Sequence, residues 1–169
     1  MQSNQKDRTI CLILKKSYYE NYLRFLFDSP TDDIIVKRDH EVGKYLFSRV
    51  RYCHPSELKN FIRKNETGHQ LQLVMPAHGN DLSRNYCAYF TADDMARIND
   101  FIESSAYLDF RMMVQTGNID LKMDRKTVIE IYSDLIFRED KYEMLKKDEW
   151  RKRKKIREWL KNSAKALSI

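Results

Sequence analysis

The chain predicts an α+β fold: a small mixed or antiparallel sheet with helices over residues 1 to 91, then an all-helical portion over residues 92 to 169. Three observations predict it. Short apolar runs of strand length recur only as far as Phe90, apolar residues at helical spacing dominate from there on, and no Pro/Gly linker or internal repeat separates the two portions. The 169 residues suffice for a real core, and 42% hydrophobic with 33% charged residues marks a globular chain.

The elements follow in order. Residues 9 to 14 (TICLIL) form an apolar strand. Ser17 and Glu20 have the spacing of a capping box, and Tyr18, Tyr22, Phe25 and Leu26 fall on one side of the helix behind them. A turn at residues 29 to 33 leads to a second strand over residues 34 to 38. Asp39 then caps a helix in which Val42, Leu46, Val50 and Cys53 recur at helical spacing. Pro55 opens a short helix through residue 64, and a loop covers residues 65 to 68. Strands over residues 71 to 75 and 86 to 90, joined by an exposed loop, are expected to pair antiparallel. Thr91 with Asp93 and Asp94 starts a helix from residue 92 to 116 that buries Met95, Ile98, Ile102, Leu108, Met112 and Met113, with Gly117 as its stop. Asp124 caps the next helix, whose apolar positions are Val128, Ile129, Tyr132, Leu135 and Ile136. Together with the helical region from residue 141 it has the rhythm of a helix-turn-helix, although the connector lacks the glycine often found there.

Charge is concentrated at one end. Residues 146 to 161 hold nine Lys/Arg against three acids (Asp148, Glu149, Glu158), a balance of +6 that equals the net charge of the whole chain, so the remainder sums to zero. On a helix turning about 100° per residue, Ile156, Trp159 and Leu160 form an apolar arc while Trp150, Arg153, Lys154, Arg157 and Lys161 share a cationic one. Cations three and four residues apart can meet successive phosphates, and Trp150 can stack on a base or close the core. A second basic stretch, residues 37 to 64, carries eight Lys/Arg against three acids; Lys44, Ser48 and Arg51 are expected on the outer side of their helix, with Arg49 nearby. Asp93, Asp94, Asp100 and Glu103 are the acids available to pair with either basic stretch.

Several chemistries are missing from the sequence. The four glycines form neither a dinucleotide fingerprint nor a phosphate loop. The histidines at 40, 54, 69 and 78 lack HExxH or paired Cys/His spacing, so no metal and no cofactor is expected. Cys11, Cys53 and Cys87 read as reduced core thiols, not as a disulfide framework. The triplets Glu57-x-Lys59 and Asp120-x-Lys122 match a nuclease spacing, but neither follows a strand with a second carboxylate, so an enzyme is not expected. No apolar run reaches membrane-spanning length and the start is polar, which predicts a cytoplasmic protein without membrane contact.

The expectation is a non-enzymatic nucleic-acid-binding protein, with DNA ahead of RNA, using Trp150, Arg151, Arg153, Lys154, Arg157 and Lys161 with help from Lys44, Arg49 and Arg51. The alternative is an assembly module that forms a homo-oligomer through its helical portion. The plain reading of the basic run is a solvated helix face.

Overall fold

A computed structural model describes residues 8 to 30, 33 to 61, 68 to 76, 86 to 138 and 141 to 167. The expected loops at residues 65 to 67 and 77 to 85, the last three residues of the expected helix at 55 to 64, and residues 139 and 140 lie outside the described residues. The fold is α+β, and the chain divides into two units, residues 1 to 107 and 108 to 169. The division falls inside a helix.

In the first unit β1 (Arg8–Leu14) and β4 (His69–Met75) pair antiparallel over their full lengths, and β2 (Ile34–Ile35) joins the other edge of β4 in parallel. Ile10, Leu12 and Leu14 alternate with more exposed neighbours, as do Leu71, Leu73 and Met75, and the register sets Ile10 against Leu73 and Leu12 against Leu71. Burying each such side chain contributes about 1.5 to 3 kcal/mol, against roughly 0 to 1 kcal/mol for an exposed ion pair. Apolar alternation therefore fixes this register. The expected pairing of the strands at 71 to 75 and 86 to 90 is not formed. Instead β5 (Cys87–Tyr89) pairs with β3 (Arg51–Cys53), a strand the sequence reading had absorbed into a helix.

Helix α1 (Tyr18–Leu26) buries Tyr19, Tyr22 and Leu23, while Phe25 is exposed, so the inner face is rotated from the one expected. Ser17 makes no capping bond because its own backbone is already helical (φ −61°, ψ −37°), and the Glu20 carboxylate lies instead against Arg24 and His69. Helix α2 (Glu41–Arg49) is capped by His40, whose Nδ1 accepts the Val42 N–H at 3.1 Å, and not by Asp39. It ends one residue before Val50 turns extended, which puts Arg51 on β3 and off the helix. Gly43 is required where α2 meets the preceding chain, since a Cβ there would stand 1.7 Å from the Lys37 carbonyl oxygen. A short helix α3 (Leu58–Phe61) follows β3.

Helix α4 (Ala92–Ile119) begins where Thr91 and the acids after it predict. Thr91 Oγ1 accepts the Asp94 N–H at 3.1 Å, and Asp94 Oδ2 accepts the Thr91 hydroxyl at 2.6 Å and its N–H at 3.4 Å. Buried Asn99 braces the strand end by donating to the Ile13 and Met95 carbonyls and accepting the Lys15 N–H. Ile98, Ile102 and Ala106 are buried in this unit.

In the second unit Phe110 and Val114 are the buried α4 positions, and Leu108 and Met112 are exposed, contrary to expectation. Gly117 does not stop the helix. It lies within α4, where a Cβ would come 2.7 Å from Val128 Cγ2, so its lack of a side chain serves close packing against α5 (Arg125–Tyr132). A π-helical turn, Ser133–Phe137, continues α5. The buried residues step by four (Val128, Tyr132, Ile136 and Ile129, Ser133, Phe137). Such a step drifts about 40° per turn on an α-helix, and the wider turn brings it back toward the core. Leu135 is consequently exposed. Arg138 then takes a left-handed conformation (φ 52°), the role a glycine would have filled, and the Ser133 hydroxyl accepts the Lys141 N–H at 3.0 Å. Helix α6 (Tyr142–Leu167) follows. Among the described residues no helix is long and apolar enough to cross a membrane.

Candidate nucleic-acid interface

Helix α6 is anchored by Leu145, which is fully buried. With it, Asp148, Glu149, Lys152 and Ile156 fall within an arc of about 100°. The two acids on this inner arc are already engaged: Asp148 accepts from Arg111 at 3.0 Å, and Glu149 lies 3.7 Å from Arg125 and 3.4 Å from Arg153. Two arginines from α4 and α5 thus neutralise acids that the sequence had counted against the basic run.

The opposite side is a ridge. Lys147, Arg151, Lys154 and Lys161, with Glu158 among them, fall within about 80° and extend along roughly 21 Å of helix. Among the described residues Lys147, Arg151, Lys152, Lys155, Arg157 and Lys161 make no ion pair. Lys154 stands at the 4.0 Å limit from Glu158 and lies over the Trp150 ring at 5.4 Å. Trp150 is 54% exposed, so it does not close the core. Clustered and open to solvent, these groups can neutralise a polyanion without first breaking an ion pair.

The expected residues therefore separate. Trp150, Arg151, Lys154 and Lys161 belong to the ridge or its flank, with Arg157 beside them. Arg153 is turned inward to Glu149 and lines, with Arg125, Lys152, Arg157, Val114 and Ile156, a cleft of about 280 Å³ between α4 and α6. Lys147 and Lys155 were counted in the charge of the run but not among the site residues. The 4-3 spacing of Lys147, Arg151 and Lys154 is the sequence signal that marks the ridge.

Of the first unit's cations, Lys44, Arg49 and Arg51 each meet an acid, whereas Lys37, Arg38 and Lys59 of the same stretch are exposed and make no ion pair among the described residues. Lys44 pairs with Glu41 at 2.6 Å. Arg51 donates through Nε to Asp94 Oδ2 at 2.7 Å, while Arg49 lies 3.9 Å from Asp94 and stacks over the Tyr45 ring. The Asp94 carboxyl, 1% exposed, is held below the usual carboxylate range by the Arg51 hydrogen bond first; burial opposes this, and the Thr91 bonds assist. Arg51 is raised in turn by the same bond. Lys15 and Lys16 pair with Asp100 and Glu103. Of the four acids identified as available partners, Asp94, Asp100 and Glu103 are used in this way within the first unit, and Asp93 pairs with Arg97.

Glu57 precedes α3 and Asp120 follows α4, and among the described residues no three His, Cys, Asp or Glu side chains gather as a metal site requires. No family model, curated protein or solved structure matches the chain.

Proposed function

We propose that this protein binds nucleic acid without catalysing a reaction, in the cytoplasm, by laying the cationic ridge of α6 along duplex DNA. One observation carries the reading: the acids of the basic segment's inner face are occupied by Arg111 and Arg125, while six cations of the same helix make no ion pair among the described residues. Neutralising about five phosphates gives a log-log salt slope near −4.5 on duplex DNA. The deep, narrow major groove of duplex RNA does not admit a helix, which favours DNA. Fluorescence anisotropy across a salt series tests this; a flat slope, or no binding at low salt, refutes it. Lys44, Arg49 and Arg51 contribute little, because contact with phosphate would compete with Glu41 and Asp94.

A second reading, self-association through the helical portion, is supported by exposed Leu108, Met112, Ile119, Trp159 and Leu160 in the second unit. Sedimentation at several concentrations without nucleic acid separates the two: a stable oligomer supports this reading, and a monomer at all concentrations removes it.

A further inference from the structure

Cys53 and Cys87 stand directly opposite each other in the antiparallel ladder of β3 and β5. Opposed residues in such a ladder have Cα atoms about 4.5 or 5.5 Å apart, according to the kind of pair, and project to the same face. Both separations lie inside the roughly 4.4 to 6.8 Å range a disulfide accepts. Cys53 is buried, Cys87 is partly exposed, and both thiols are free. Cys11 lies on the other sheet, opposite Gln72.

We propose that Cys53 and Cys87 form a reversible oxidation site, in which a hydroperoxide oxidises Cys87 and Cys53 resolves the product into an intrachain disulfide. The Cys87 thiolate attacks a peroxide oxygen; an S–O bond forms, the O–O bond breaks, and water or an alcohol leaves. The Cys53 sulfur then attacks the sulfenic sulfur, forming the S–S bond as the S–O bond breaks. The departing hydroxide takes the Cys53 proton and leaves as water. Two thiols give up two protons and two electrons, and the peroxide is reduced. The order of events follows from access: burial pushes the Cys53 thiol up, with Cys87 and Glu57 adding to it, so Cys53 is a poor first target. The resulting clip ties β3 to β5 two residues from Arg51, the partner of Asp94.

The test is treatment of the reduced full chain with hydrogen peroxide. Titratable thiols in denaturant are expected to fall from three to one, with loss of two hydrogens in the intact mass, a peptide linking Cys53 to Cys87, and full recovery on dithiothreitol. Cys11→Ser should react identically. Cys53→Ser should instead accumulate a sulfenic acid at Cys87 that dimedone traps. Persistence of all three thiols overturns the proposal, as does over-oxidation of Cys87 without a link, a link through Cys11, or only intermolecular dimers.

Discussion

The two units hold comparable kinds of charge and pair them to different extents. In the first, several cations end on carboxylates of the same unit: Arg49 and Arg51 on Asp94, Lys16 on Glu103, and Arg24 on Glu20. In the second, Asp148 and Glu149 are met by arginines from outside α6, and the helix keeps a row of cations that has Glu158 as its one acid. A local balance of +5 and one of +6 look alike in the sequence, yet Lys44, Arg49 and Arg51 of the first meet acids, while six of the nine cations of the second make no ion pair among the described residues. Part of the difference is long-range: Asp94, several elements away, folds onto Arg49 and Arg51.

The largest expected effect tests that contrast directly. Reversing Lys147, Arg151, Lys154 and Lys161 to Glu removes about four phosphate contacts and should weaken duplex binding on the order of a thousandfold or more at 0.1 M salt. Anisotropy titration reads it, with circular dichroism confirming that α6 remains helical. Neutralising Lys44, Arg49 and Arg51 to Gln should leave the salt slope within about half a unit; a loss of two or more units would erase the distinction between the regions.

Next comes Asp94→Ala, which removes a helix cap and the buried end of the Arg51 pair. It should destabilise the first unit by about 2 to 4 kcal/mol in urea unfolding, with the ridge's affinity for DNA unchanged. The same carboxyl gives a pH signature. Its folded pKa lies below the unfolded value of about 3.9, so its contribution is present above that pH and is lost as pH falls through the folded pKa. Urea midpoints measured from pH 7 to pH 3 should fall less steeply in Asp94→Asn than in the parent.

Smaller still is Gly117→Ala. Overpacking against Val128 costs about 1 to 3 kcal/mol, and better helix propensity returns about 1 kcal/mol, leaving a net loss of at most about 2 kcal/mol that thermal unfolding measures. Lys44→Ala, which breaks only an exposed pair with Glu41, should change stability by less than about 0.5 kcal/mol.

Much of the fold was legible because local rules agreed. The run at residues 9 to 14, the Thr91 cap and the position of α5 each rest on neighbours close in sequence. The errors arose where two patterns coincide or where distant chain decides. Val42, Leu46, Val50 and Cys53 satisfy a helical period, but Val50 turns extended and Cys53 is buried by alternation on β3. The partners of β4 and β5 lie far back in the chain, and no local signal chooses between them. Leu135 failed as a core residue because the π turn changes the period beneath it. The same division holds for the site: the sign and place of the charge were readable, while Arg153 turning to Glu149 and Arg51 turning to Asp94 depend on tertiary pairing.

Both tryptophans of the chain sit on α6, at 150 and 159, and both stand open to solvent. The indole at 150 lies under the Lys154 ammonium, so any anion that draws the ammonium away alters the electric field across that ring. The helix thereby carries its own optical gauge: a colour shift in ultraviolet emission reports the arrival of a guest at the ridge, with no label attached.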